Sequence, residues 1–173
     1  MNLTQTHLLS MPEEVEQRAS QAADYFKAGF TCSQSVYMAY ADLFGLTTEE
    51  AALISGSLGG GVGRLREVCG AVTGMSLVCS LAIPMNQPET KLEGRANKKK
   101  NYAMVQACAA DFKAENGSIV CRELLGLSPM QPTCATPEPR TEQYYKKRPC
   151  GELVRMAATI VGNHLLKLSQ EEE

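Results

Sequence analysis

Tryptophan is absent from this 173-residue chain, phenylalanine occurs four times and histidine only twice. A core must therefore come from Leu, Ile, Val, Met and Ala, a mixture that suits helices better than a β-sandwich. The two histidines, His7 and His164, have no partner visible in the sequence, so a Cys–His or Ser–His hydrolase has little to stand on. Ser57 is not in a G-x-S-x-G elbow, which removes that route too. Excess charge is also missing. The net charge is -2 and the pI about 5.8, so no positive field recruits nucleic acid or an anionic membrane. The opening residues, Met1-Asn2-Leu3-Thr4-Gln5, lack the basic start and apolar run of a secretory signal, and a cytoplasmic location is expected. The longest uncharged stretch, residues 69–88, is broken by Gly70, Gly74, Pro84, Asn86 and Gln87 and reads as a buried helix, not a membrane span.

Close cysteine spacing is a further absence. The seven cysteines are Cys32, Cys69, Cys79, Cys108, Cys121, Cys134 and Cys150, and no two lie within four residues of each other. This excludes a C-x-x-C of thioredoxin type, a zinc-finger pair, a ferredoxin ladder and a C-x-x-C-H haem attachment. Seven in 173 is well below the density of a disulfide scaffold, and a reducing compartment would not keep such staples. Chemistry or plain packing is left.

What is present organises into one helical unit, residues 1–173, with an ordered core at about 11–168. The patterns predict an all-α bundle of about five to six helices. Pro12 with Glu13 and Glu14 opens a helix over 12–28, stopped by Gly29. Val36, Tyr37, Tyr40, Leu43 and Phe44 recur at helical spacing over 33–44. Thr47 and Glu50 form a capping box before Ala51, Leu53 and Ile54. Residues 56–63, Gly-Ser-Leu-Gly-Gly-Gly-Val-Gly, are a specific glycine-rich loop. They match no phosphate-binding pattern and follow no strand, so no nucleotide is expected. Helices follow over 69–83 and 89–115, with a helical turn at 121–125. A loop holding Pro129, Pro132, Pro137, Pro139 and Pro149 is long for a compact domain and reads as a lid or wrapping segment. The last helix starts at Cys150 or Gly151 and runs to Leu168, with 170–173 fraying. The basic run 95–100 is a solvated helix face.

Cys32, Cys69, Cys121 and Cys150 each fall at or just before a helix start. Free amides and the helix dipole there stabilise thiolate, the form that attacks disulfides and binds metal. Cys79 and Cys108 lie inside apolar helices, where cysteine packs as a small hydrophobe. The four could equally be buried packing residues, since cysteine is among the commonest interior types. Gly70 and Gly74, one helical turn apart, imply close approach by another helix or a bound group, because glycine inside a helix costs about 1 kcal/mol relative to Ala.

Cys32, then Cys69-Gly70-Ala71-Val72-Thr73-Gly74, then Cys121 and Cys150 resemble the C_GCAxxG_C_C family, whose members are described as redox-active. The likeness spans about residues 22–161. It implies a helical oxidoreductase or electron-transfer protein. Relatives of that family include the split-Soret cytochromes, which carry haem and an iron–sulfur centre. Haem does not carry over, since no C-x-x-C-H is present. On this basis Cys32, Cys69, Cys121 and Cys150 converge as catalytic thiols or metal ligands, with Gly60, Gly61, Gly70 and Gly74 shaping a cofactor-binding site. An iron–sulfur cluster and thiol–disulfide cycling stay open side by side. The alternative is a zinc module using the same four thiolates, and a homodimer with merely packed cysteines is a third possibility. A redox partner protein or small molecule is implied, and Cys134 is a candidate resolving thiol.

Overall fold

The structure, a computed structural model, describes residues 9–171, with the side chain of Glu171 left aside. The chain start, His7 and the last two residues lie outside the described residues. Among the described residues, eight α-helices and no strand are found. They are α1 Pro12–Lys27, α2 Cys32–Ala41, α3 Thr48–Ser55, α4 Gly70–Ala82, α5 Leu92–Asn116, α6 Cys121–Leu124, α7 Glu142–Lys147 and α8 Cys150–Glu171. The all-α expectation holds, but five to six helices was too few. Beyond six, the additional ones are α6, expected as a helical turn, and α7, inside the segment predicted as proline-rich loop. The cap of α7 is Thr141, whose Oγ1 accepts from the Tyr144 amide at 3.2 Å, and its signal is hidden between Pro139 and Pro149.

α2 is the centre of the molecule. Ser33, Ser35 and every residue from Val36 to Ala41 are buried, which is the pattern of a helix covered on all sides and not of a one-faced amphipathic helix. Its buried hydroxyls are satisfied locally: Ser33 Oγ donates to the Ser55 carbonyl at 2.8 Å and Ser35 Oγ to that of Thr31 at 2.8 Å. α1 lies along α8, with Val15, Ala19, Ala22 and Phe26 facing Leu153, Val154, Ala157, Ala158, Val161 and Leu165. Both series step by three and four residues, as an apolar stripe requires. Together they cover one side of α2, while α4 packs on the other.

The junction of α1, α2 and α8 is tight at one point. Tyr40 Oη donates to the Ala158 carbonyl at 2.7 Å, and a Cβ at Gly162 would stand 2.7 Å from Val15 Cγ1 and closer still to that hydroxyl. Gly162→Ala is therefore expected to lower stability by about 1–3 kcal/mol, the usual cost of overpacking a close-packed core. Urea unfolding of the variant beside the parent measures it; an unchanged midpoint would show that α1 or Tyr40 yields freely.

No helix among the described residues is long and apolar enough to cross a membrane. Residues 70–82 of the uncharged stretch form α4, largely buried between α2, α5 and α8, and residues 83–88 leave the helix.

Candidate functional site

The four cysteines reach one place by four local devices. Thr31 caps α2 reciprocally, its Oγ1 accepting from the Gln34 amide at 3.3 Å while its own amide donates to Gln34 Oε1 at 2.8 Å, and Cys32 becomes the first helical residue. Cys69 is the N-cap of α4 and donates its amide to the Ile119 carbonyl at 2.8 Å. Cys121 donates its amide to the Glu67 carbonyl at 2.6 Å, and Val68 and Val120 form an antiparallel bridge between these bonds. That short pairing sets Cys69 opposite Ile119 and Cys121 opposite Glu67, bringing the two cysteines to the same bridge across 52 residues of sequence (121 minus 69). Cys150 follows Pro149 as the first residue of α8.

Between α3 and α4 the backbone is contorted. Gly60, Gly61 and Gly63 have positive φ, and so do Val62, Arg64 and Arg66, at 61°, 67° and 64°. Three residues with side chains in the left-handed region within five positions are unusual, and such strain gathers where a site requires it. The segment is pinned by Gly63 N–H to Ser57 O at 2.7 Å and Glu67 N–H to Gly61 O at 3.1 Å.

The result is a cavity of about 290 Å³ whose wall includes Cys32, Cys69, Cys121 and Cys150. Four arginines, Arg64, Arg66, Arg140 and Arg148, share that wall with a single carboxylate, Glu138. The proline-rich segment closes one side: Ala135, Pro137, Glu138 and Arg140 line the cavity, Glu138 is ion-paired with Arg148, and Arg64 Nε donates to the Cys134 carbonyl at 2.6 Å. The segment expected as one long loop thus contributes residues to the cavity wall and includes the helix α7. Arg140 is gripped by aromatic rings, its guanidinium carbon 4.5 Å from the Phe26 centroid and 4.8 Å from that of Tyr144.

The thiols differ sharply. Cys32 donates a hydrogen bond to Cys150, and this, ahead of the charges of Arg148 and Arg140, brings Cys150 down to about 7 against its burial. Donating that bond, together with burial, pushes Cys32 well above an ordinary thiol. Burial carries Cys69 up to about 11, although the amides of Ala71 and Val72 pull the other way. Cys121 is also raised by burial, opposed by Arg66, whose Nη1 lies 3.9 Å from its Sγ. The expectation of thiolates at all four helix starts is therefore corrected: desolvation outweighs the helix terminus at Cys69 and Cys121, the interaction with Cys150 followed by burial raises Cys32, and of the four only Cys150 is shifted down.

Of the glycines predicted to shape the site, Gly60 and Gly70 line the cavity and Gly61 and Gly74 do not. A Cβ at Gly74 would stand 2.9 Å from the Ser33 carbonyl oxygen and 2.9 Å from Val36 Cβ, so its absence serves the approach of α2. Gly61 makes room for Cys121. Cys134 is exposed and lines a neighbouring recess of about 80 Å³ instead. Its thiol is lowered by hydrogen bonds from Thr136. Cys79 and Cys108 are buried in the core between α4 and α5, hydrogen-bonded to each other. His164, unpartnered in the sequence, meets Asp111 at 2.8 Å on the surface between α5 and α8.

The arginines and Tyr144 were not anticipated. Arg64 and Arg66 close the glycine run, and Arg148 stands two residues before Cys150, but charge beside a loop has no signature of its own. Among the described residues no three Cys, His, Asp or Glu side chains stand where one metal ion could be shared.

No curated protein and no solved structure matches the chain. The family described as putative redox-active protein (C_GCAxxG_C_C) matches residues 30–164, the span that holds Cys32, Cys69, Cys121, Cys150 and the glycine motif between the first and third of them. The chain belongs to that family.

Proposed function

We propose that this chain is a dithiol redox protein in which Cys150 is the attacking thiolate and Cys32 its partner, cycling between two thiols and one disulfide. The observation that carries this is that Cys32 and Cys150 share the wall of one arginine-lined cavity, where the interaction between the two thiols brings Cys150 down to about 7. A thiol with a pKa near ambient pH is the best attacker in disulfide exchange, combining thiolate content with retained nucleophilicity. Cys69 and Cys121, held protonated by burial, border the pair without sharing its hydrogen bond. The reducing cytoplasm would keep the resting pair as thiols, with a partner protein or small molecule supplying electrons.

A second reading rests on a different observation: all four cysteines line the same cavity. Four thiols are the donor set of an iron–sulfur cluster, and three arginines without a carboxylate partner among the described residues would offset its negative charge. Cys32, Cys69, Cys121 and Cys150 would hold it, and it would supply one-electron transfer. For a zinc module the donor chemistry is suitable, but among the described residues no three such side chains stand where one metal ion could be shared.

The test is anaerobic purification followed by iron, sulfide and zinc analysis, then mild oxidation with thiol counting and peptide mapping. Dithiol cycling predicts the loss of two thiols per chain, a Cys32–Cys150 linked peptide and no stoichiometric metal. Iron with sulfide and visible absorption would select the cluster instead, and unchanged thiols in metal-free protein would remove both.

A further inference from the structure

The charges around the Cys32–Cys150 pair are not balanced by the protein. Four arginines and one glutamate line the cavity. Glu138 is committed to Arg148. Among the described residues Arg64, Arg66 and Arg140 have no carboxylate partner: Arg64 and Arg140 donate to backbone carbonyls of Cys134 and Phe30, and Arg66 reaches the Cys121 sulfur. In addition, Arg140 Nη1 is buried without any hydrogen-bond partner, a costly state for a charged donor unless something else completes it. Two of these arginines sit on strained left-handed backbone, so the chain holds them there against its own preference.

Guanidinium groups match carboxylates bidentately, and charge-assisted bonds of this kind are about twice as strong as neutral ones. The cavity, at about 290 Å³, is of the size that takes a small organic molecule and not a protein loop. Resting on the dithiol function above, we propose that the substrate is a small anionic disulfide, each half carrying a carboxylate, seated by Arg64, Arg66 and Arg140 with its S–S bond against Cys150. The Cys150 thiolate attacks one sulfur, forming a Cys150–substrate disulfide and releasing the first half as a thiolate, which takes the Cys32 proton. Cys32 then attacks the Cys150 sulfur, closing the Cys32–Cys150 disulfide and releasing the second half as thiolate. Two electrons pass from the two cysteines to the substrate S–S bond.

The test uses a reduced Cys134→Ser chain, so that the exposed thiol is silent, and two reagents: 5,5′-dithiobis(2-nitrobenzoate), with two carboxylates, and uncharged 2,2′-dithiodipyridine. The quantity read is the ratio of their rates, divided by the same ratio for free 2-mercaptoethanol, which cancels any change in the thiol itself. The expected value is about tenfold in favour of the anion at low salt, within the range that charged clefts provide. In 1 M KCl, where charges are screened beyond about 3 Å, it should collapse towards one. Arg66→Gln should lower it several-fold. The salt arm needs no arginine substitution, so misfolding of that variant cannot hide the answer. A normalised ratio near one, unmoved by salt, with the Cys32–Cys150 disulfide still formed, would overturn the anionic substrate and leave the dithiol function standing. If neither reagent produces that disulfide, both fall.

Discussion

Replacing Cys150 by serine in a Cys134→Ser background is expected to slow capture of a neutral alkylating reagent at pH 7 by about a hundredfold or more. At that pH a thiol at about 7 is roughly half thiolate, whereas an ordinary cysteine near 8.5 is only a few per cent ionised. The cysteines that remain are worse placed still: Cys69 is carried up to about 11, and Cys32 and Cys121 are also raised. Burial, the largest cause at Cys69 and Cys121 and a further cause at Cys32 after its interaction with Cys150, survives the loss of Cys150. The pH profile carries the sign. Cys150 is depressed in the folded chain, so reactivity should be low below about 7, rise through that value and level off above it. Cys32→Ala removes the largest cause of the depression, and the midpoint should climb towards about 8.5. A midpoint unmoved by Cys32→Ala would mean that the arginines alone ionise Cys150, and the pairing with Cys32 would lose its basis.

Much of the backbone was readable because helix ends carry local chemistry. The capping box at Thr47 and Glu50 forms as expected, with the Glu50 amide donating to Thr47 Oγ1 at 3.2 Å and the Thr47 amide to Glu50 Oε2 at 2.8 Å. Pro12 opens α1, and Gly117 stops α5 in a left-handed conformation. Such signals act within four residues, so one chain segment contains both cause and effect. The failures lie where the cause is elsewhere. α7 is a six-residue helix that local propensity would not sustain alone, and Tyr144 and Tyr145 hold it by packing on the Arg140 and Phe26 cluster.

The same division runs through the candidate site. That Cys32, Cys69, Cys121 and Cys150 stand near helix starts is a local property and was legible. Their differing ionisation was not, since it depends on depth in the fold and on which sulfur faces which. Cys69 shows this best: its helix amides act as the sequence suggests, and burial still decides. The arginines were illegible for a related reason. Arg64 and Arg66 matter because a strained turn places them on the same wall as Arg140 and Arg148, some 80 residues later.

Gly61→Ala is expected to damage the fold severely for so small a change. Gly61 has φ +70°, and a Cβ there would stand 2.7 Å from Cys121 Cβ, 2.8 Å from the Glu67 nitrogen and 2.9 Å from Arg66 Cα. Two of these three are backbone atoms, held by the Cys121 amide bond to Glu67 and the Val68–Val120 bridge, so neither can step aside without parting Cys69 from Cys121. The left-handed conformation costs an alanine about 1–2 kcal/mol, and forcing atoms into occupied space adds about 1–3 kcal/mol, giving a loss of about 2–5 kcal/mol. Gly45→Ala separates the two contributions. Gly45 has φ +74° with nothing within 4 Å of its missing Cβ, so it should lose only the conformational part. Urea unfolding of the three chains gives the comparison, and the rate at which Cys121 and Cys69 accept a thiol reagent reports whether the bridge has opened. The expected order is parent, then Gly45→Ala, then Gly61→Ala, with raised thiol reactivity in the last alone. Equal losses in the two variants would mean that the glycine turn is free to move away from Cys121, and that the cavity wall there is not fixed by packing.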